Sequence, residues 1–524
     1  MKYRPFVLIL PFLASCSLFP AIGNSGSDSA LSSSSVFESS SSAASTRTLE
    51  VYAINDFHGA VKEEGSYPGI ETVGSYFARR GEEENTVLVS SGDMFQGSLE
   101  SNYNSGHLLA DVMNECEFDA LSLGNHDFDW GLEALRSNKE RVSSSGYQTP
   151  YLCANLYDYA NSKQGNVQQS DYAGEYVVKV QENGLRVGII GAIGASQFTS
   201  ITSSRVEDVC FKNPTPIIKT LSDKLRVEEN CDIVILSFHA GQSAMLGQGV
   251  TSISPNSGKR YVDLVLCAHT HRYESATENG VIFTQNYDKG ENASHVTLTV
   301  SESGEVSGKL ETISAAAMKE EAKQEGYDKK ISDLVNTYGQ ESETIGNETL
   351  GTLNGSFDSY GELPNLVAEA MLEEASASFS GVDIAMVNNG RERLSSGSLT
   401  YSALFSALPF DNEVYILETS GETLMKEASY NFIARGNEEA FESDGTYRVA
   451  VIDYLAVHQN TKRVYDYFPN STIVGTVSSS DGGKRTYRDI AADYIREAGT
   501  VSSADYSSNL VRYNKELLST SVSL

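Results

Sequence analysis

The sequence predicts an α/β layered protein, and three observations carry that expectation. First, five apolar, β-like runs each end in side chains suited to metal or proton chemistry. They are LEVYAINDFHG with Asp56 and His58, TVLVSSGDMFQG with Asp93, LSLGNHDFDWG with Asn125, His126, Asp127 and Asp129, CDIVILSFHAG with His239, and VDLVLCAHTH with His269 and His271. Second, stretches of helical periodicity, such as 106–114 and 132–142, lie between the runs, and strands alternating with helices build open layered sheets. Third, five of the eight histidines sit at these run ends. Ligands of open α/β sheets bind beyond the carboxyl ends of the strands, so the five ends describe one pocket.

A chain of 524 residues is long enough for two or three domains. Hydrophobic content of 40% and charged content of 21% are ordinary for a globular body. The net charge of -31 opposes a nucleic-acid partner. It leaves small anionic substrates open, because bound metal ions dominate their local field. Apart from Cys16, the cysteines show no CxxC or zinc-ribbon spacing. No disulfide framework is expected, and Cys153, Cys231 and Cys267 lie in apolar runs as buried thiols.

Residues 1–16 read as a targeting segment, with Lys2 and Arg4 ahead of a short apolar core that cannot span a bilayer. Leu13-Ala14-Ser15-Cys16 resembles a bacterial lipobox, which makes Cys16 the expected lipidation site and the chain an extracytoplasmic lipoprotein. A plain signal peptide is the alternative. Residues 17–48 form a serine-rich tether, with 13 serines between 17 and 46. That composition cannot bury enough apolar surface to order itself, and its reach is roughly 30 Å by random-coil scaling.

Residues 49–314 carry the five run ends. A further strand over 184–192 ends by Gly191 and Gly194 and reads as a close-packed strand end. Residues 315–345 are expected to form a connecting helix, with Ile331, Leu334, Val335 and Tyr338 as one apolar stripe. Residues 346–524 read as a second α/β domain, with a helix over 363–375 and strands over 382–387, 413–418 and 446–452.

The donor set is Asp56, His58, Asp93, Asn125, His239, His269 and His271. Seven ligands exceed one tetrahedral zinc and suit two divalent ions that share a carboxylate. Imidazole with oxygen favours Zn, Mn, Co or similar ions over Mg or Ca. Such a pair acidifies a bridging water and clamps a phosphoryl group. His126 is left to bond the phosphoryl or leaving oxygen, with Asp129 orienting it. Asp127 reads as a supporting residue and Asp263 as structural.

The order DxH, GDxxxG, GNHD, H, HxH resembles the calcineurin-like metallophosphoesterases. NDFHG, SGDMFQGS and LGNHDFDWG followed by a separate C-terminal domain resemble their 5′-nucleotidase family, which includes UDP-sugar hydrolases and 2′,3′-cyclic nucleotide phosphodiesterases. The resemblance runs from about Leu49 almost to the end of the chain. It implies a four-layer αββα sandwich followed by a smaller α/β substrate domain, and domains that rotate to bring substrate to the metals. One ion would be held by Asp56, His58, Asp93 and His271, and the other by Asp93, Asn125, His239 and His269. His126 with Asp129 would be the catalytic dyad, steadying charge as a metal-bridging hydroxide attacks phosphorus. Ala268 stands where the family usually has glycine.

The second domain departs further. The family's Asn-Gly-Gly-Gly-Ile-Arg-like loop reads here Asn388-Asn389-Gly390-Arg391-Glu392-Arg393, so Asn388 and Arg393 match while Arg391 replaces a glycine. Phe410 matches one face of the nucleobase clamp. The other face has no counterpart turn, and Tyr465 and Tyr467 are the nearest aromatics. Ser359 stands near the place of an expected arginine. The implied function is a metal-dependent phosphohydrolase acting on nucleotides through Asn388, Arg393 and Phe410. The alternatives are a UDP-sugar hydrolase, a 2′,3′-cyclic nucleotide phosphodiesterase, or a non-catalytic nucleotide-binding lipoprotein.

Overall fold

Alternate residues of the central strands point to opposite faces, and this sorts the first 300 residues into layers. In the computed structural model, which describes residues 46–158, 168–202, 205–456, 467–478, 485–521 and 524, two six-stranded sheets lie face to face. The first runs Val306–Ser314, Asn292–Val300, Arg47–Ile54, Thr86–Ser90, Ala120–Ser122, Tyr151–Leu152. The second runs Glu274–Glu278, Val281–Gln285, Leu264–Cys267, Ile233–His239, Arg186–Ile193, Tyr176–Val180. Cys16, the targeting segment and nearly all of the serine-rich tether lie outside the described residues, as does Tyr465. Among the described residues no helix is long and apolar enough to cross a membrane.

Four strands of each sheet are parallel, the last four of the first sheet and the central four of the second, with Val51 opposite Val87 in one and Ile189 opposite Ile235 in the other. Val51, Ala53, Val87 and Val89 point inward and meet Val187, Ile189, Ile233 and Ile235 in one fully dry cluster. Each such side chain contributes about 1.5–3 kcal/mol by leaving water. The intervening residues Tyr52, Ile54 and Leu88 point outward, onto Phe77, Leu108 and Val112 of the helices Ile70–Gly81 and His107–Glu115. On the far side Ile190, Val234 and Leu236 meet Ile218, Leu221 and Leu225 of the helix Pro214–Val227. That helix starts where it does because the Asn213 side chain accepts from the Thr215 amide and Pro214 presets its first turn. The result is the αββα sandwich.

The second body, from Thr349 on, is built round a five-stranded sheet ordered Phe432–Arg435, Ile384–Val387, Thr446–Ile452, Val414–Ser420, Thr472–Thr476. The helices Glu362–Ser378 and Tyr487–Ala498 share its core. A three-stranded sheet of Gly397–Thr400, Thr349–Asn354 and Thr500–Ser502 flanks it. Residues from Ser45 onward form one compact unit.

One expectation fails in detail. The continuous helix after residue 315 is two helices, Ala315–Glu325 and Lys329–Gly346. Gly326 takes a left-handed φ of 83°, and the Asp328 carboxylate accepts from the amides of Lys330 and Ile331, starting a new helix. The stripe survives on the second helix: Ile331 is fully buried, and Leu334, Val335 and Tyr338 pack with it against the first sheet's helical layer. The strand end at Gly191 is tightly packed, since a Cβ there would stand 2.4 Å from Leu152 Cβ. Cys153, Cys231 and Cys267 are buried.

Candidate functional site

Three strand ends of the first sheet and two of the second meet at one edge. Ile54, Ser90 and Ser122 end their strands shortly before Asp56, Asp93 and Asn125; His239 ends its own strand, and Cys267 ends two residues before His269. The Ser91 and Ser237 hydroxyls join the sheets at this edge, 3.0 Å apart. The loops that follow are strained. Asp56, His58, Asp93, His269 and His271 have φ of 48°, 48°, 53°, 79° and 54°, a region that L residues seldom occupy and that clusters at functional sites. Two glycines let the loops close in. A Cβ on Gly124 would lie 2.2 Å from Asp93 Oδ1, and one on Gly97 would fall 1.8 Å from the His58 carbonyl oxygen.

The donors fall into two groups. In Asp56, His58 and His271, and again in Asp93, His239 and His269, one donor atom from each residue lies within 4.8 Å of the others. His58 Nε2 faces His271 Nε2 at 3.0 Å, and Asp56 Oδ1 is 3.7 Å from the latter. Asn125 Oδ1 is 3.1 Å from His239 Nε2 and 3.0 Å from His269 Nδ1. Asp93 Oδ2 stands between the groups, 3.2 Å from His239 Nε2 and 3.9 Å from His58 Nε2. All seven expected donors are therefore together.

The surroundings aim these atoms inward. The Gln96 carbonyl lies 3.2 Å from His58 Nδ1 and the Ser91 carbonyl 2.8 Å from His239 Nδ1, which leaves Nε2 of each ring facing the pocket. Asp56 Oδ2 accepts from Asn55 Nδ2 and from the His269 amide. Asp93 Oδ1 accepts from the His126 amide. The other oxygens, Asp56 Oδ1 and Asp93 Oδ2, are buried with no hydrogen-bond donor. Burial, above all, pushes His58 down to about 3 and His269 down to about 4, so both are neutral imidazoles able to offer a lone pair. Two bare carboxylate oxygens and two ring nitrogens in contact are the pattern that a pair of divalent cations satisfies, and the residues fit that group.

His126 lies beside the donors, half-buried, with Nδ1 2.8 Å from Asp129 Oδ2. Burial opposes its charge, but Asp129 and then Asp93 outweigh burial and raise the imidazole to about 10. Asp127 lies behind the donors: its carboxylate accepts from the amides of Asp93, Met94 and Gly124 and so pins two donor loops together. Asp263 is structural, accepting from the Val234 amide and pairing with Arg226.

The second domain reaches this edge through residues 408–413. The Phe410 ring is 6.4 Å from His126 and 19° from parallel to it. Arg488, buried, donates to the carbonyls of Leu408 and Phe410 and pairs with Asp411. Asp411 also accepts from Trp130 Nε1 at 2.7 Å, and Gln96 and Asn102 donate to the Pro409 carbonyl. Arg205 of the first domain pairs with Glu413 at 2.9 Å. Asn388 is half-buried and Arg393 exposed, in the loop after Ile384–Val387. Ser359 supports that loop, its carbonyl accepting from the Gly390 amide. Tyr467 packs on the second core, 6.1 Å from the Tyr454 ring. The sequence reading missed Trp130, Arg205, Asp411 and Arg488; an odd tryptophan directly after GNHDFD was the available signal for the first.

Comparison with known proteins agrees with this architecture. Residues 49–273 match the model of the calcineurin-like phosphoesterases, and residues 345–427 match the 5′-nucleotidase C-terminal domain. Endonuclease YhcR of Bacillus subtilis is 23% identical over 72% of the chain and 32% of its own length. Cell wall protein Lmo0130 of Listeria monocytogenes is 23% identical over 90% of the chain and 66% of its own. The chain thus spans from about a third to about two thirds of these relatives. In fold, it resembles the 5′-nucleotidase precursor from Thermus thermophilus, with a TM-score of 0.63 at 18% identity, covering 87% of this chain and 97% of that one.

Proposed function

From a chain that belongs to the 5′-nucleotidase family of calcineurin-like phosphoesterases, we infer a metal-dependent phosphohydrolase that releases phosphate from nucleotides. The observation that supports this reading is the convergence of seven donors on one edge with the His126–Asp129 pair beside them. Asp56, His58, Asp93 and His271 would hold one divalent ion, and Asp93, Asn125, His239 and His269 the other, with Zn, Mn or Co suited to the donor set. When bound, such ions polarise a phosphoryl group and make water a nucleophile near neutral pH.

The remaining work belongs to side chains. His126, its Nδ1 committed to Asp129, presents Nε2 as a donor to the phosphoryl or leaving oxygen and carries positive charge against the charge that develops there. Asp127 keeps the loops of Asp93 and Asn125 in register. Phe410 offers a face to a base, while Asn388 and Arg393 orient the rest of the substrate. Cys16 would carry a lipid that holds the body outside the cytoplasm. One relative is named an endonuclease, but the net charge of -31 weighs against a polynucleotide here.

The test is phosphate release from AMP, UDP-glucose, 2′,3′-cyclic AMP and an aryl phosphate, with Mn, Co or Zn and with a chelator. Metal-dependent turnover strongest on AMP is expected. His126→Ala should keep metal and lose about 10²–10⁴-fold in rate. No turnover with two ions demonstrably bound would replace this reading with a nucleotide-binding lipoprotein.

A further inference from the structure

We propose that Arg391 sets the substrate preference of this site, favouring phosphoesters that carry a second negative group beyond the phosphoryl that is released. The inference rests on the phosphohydrolase reading and adds a selection rule to it.

The loop 388–393 has little freedom. The Gly390 amide donates to the Ser359 carbonyl, and a Cβ on Gly390 would stand 2.8 Å from Leu363 Cδ2. The Arg391 amide donates to the Ala407 carbonyl at 2.8 Å, beside the segment that carries Phe410. From there the Arg391 guanidinium reaches over the Phe410 ring, 4.9 Å from its centroid. Phe410 in turn lies next to His126. A cation on an anchored loop therefore stands one aromatic ring away from the side chain that faces the reacting phosphoryl group.

Its charge is uncompensated. The chain has 70 acidic against 39 basic residues, and most described arginines have a carboxylate within 4.0 Å. Arg435 is instead buried against main-chain carbonyls. Among the described residues the exposed arginines with no such partner are Arg272, Arg391 and Arg393. Two of these share the loop at Phe410 and the third follows His271. Where acids are in surplus, guanidinium groups left unpaired beside a phosphoester site suit anionic oxygens brought by the substrate. A monophosphate spends its charge at the donor cluster; a second phosphate is what remains for Arg391.

The experiment compares AMP, ADP and adenosine 3′,5′-bisphosphate, which places the second charge at either end of the nucleoside. Rates are taken on Mn-loaded protein. Dissociation constants are taken without metal from the emission of Trp130, the single tryptophan, bonded to Asp411 beside Phe410. At least one doubly phosphorylated nucleotide should exceed AMP in kcat/KM. Arg391→Gln and Arg391→Gly should lower that ratio at least fivefold through KM, and Arg391→Lys should hold it within twofold. Which nucleotide responds locates the second charge. Unchanged ratios in the glutamine and glycine variants would overturn the proposal, as would a lysine variant that loses as much as glutamine. If no phosphoester is turned over, the hydrolase reading falls, and the ratios of dissociation constants still decide the role of Arg391.

Discussion

The Nε2 atoms of His58 and His271 face each other at 3.0 Å, with the bare Asp56 Oδ1 3.7 Å from the second. One neutral ring can donate an Nε2–H to the other, but two bare lone pairs or two imidazolium rings would repel. A divalent ion between them resolves the contact. It would therefore stabilise the folded chain by mass action, by about 2.7 kcal/mol at a hundredfold excess over its dissociation constant. Melting temperature should rise with Mn, Co or Zn and fall back with a chelator. His271→Ala should lose part of that rise. A metal-dependent rise as large as the wild type's in both the His58→Ala and the His271→Ala proteins would rule out their shared site.

In the proposed mechanism Asp129 acts on rate through the charge of His126. Folding raises His126 from its usual value of about 6.5 to about 10. The charged imidazole thus adds stability that is whole below pH about 6.5 and is lost as pH rises through about 10. Asp129→Asn removes the largest raising influence, so His126 gives up its proton at lower pH. The alkaline limb of the rate profile should move down in pH, with kcat reduced about tenfold or more. A pH–rate profile with an unmoved limb would show that Asp129 only caps its turn.

Much of this site is legible in the sequence because its parts are chemical types at the ends of apolar runs, and runs of that kind are strands in any α/β protein. The four parallel strands of each sheet follow from the same signal. The edges do not: Val306–Ser314 is largely exposed and polar, so nothing in its composition distinguishes a solvated strand from a loop. The break at Gly326–Asp328 is marked only by a helix-ending glycine and a capping aspartate, between an Ala-, Lys- and Glu-rich run and an amphipathic stripe that each favour helix. The left-handed backbone at Asp56, His58, Asp93, His269 and His271 is imposed by contacts distant in sequence. Arg205 with Glu413 belongs to the same class, being a contact more than two hundred residues apart in the chain.

Gly124 tests how closely the donor loops must approach. Its φ is not in the left-handed region, so alanine costs little in backbone terms. The new methyl group, however, would fall 2.2 Å from Asp93 Oδ1 and 2.6 Å from His239 Cε1. Gly124→Ala should fold and yet lose most metal-dependent stabilisation and turnover. Circular dichroism and thermal shift with and without Mn would check it, and a full metal response would mean the loops can move apart freely.

Asp453 is the acid whose environment most directly ties the two domains to pH. It is 1% exposed, with Arg205 Nη2 3.5 Å away and Glu413 also paired to that arginine. Burial raises Asp453 to about 7, Arg205 pulling it down and Glu413 pushing it further up. An ordinary aspartate titrates near 3.9, so folding favours the protonated form. The cost of its charge is absent below pH about 4, grows as pH rises, and is complete above about 7, at an upper limit of about 4 kcal/mol. Asp453→Asn should therefore be more stable than the wild type above pH 7, and the gap should close as pH falls to 4. Arg205→Ala goes the other way, since it leaves two buried carboxylates without their cation, a loss of about 3–5 kcal/mol. It should also shift the emission of Trp130, whose bond to Asp411 lies at the same junction. Melting curves of both variants from pH 4 to 8 decide the matter. A pH-independent gap for Asp453→Asn would mean that the carboxyl titrates in the folded protein as it does in the unfolded chain, and so stays charged against Arg205 across this range.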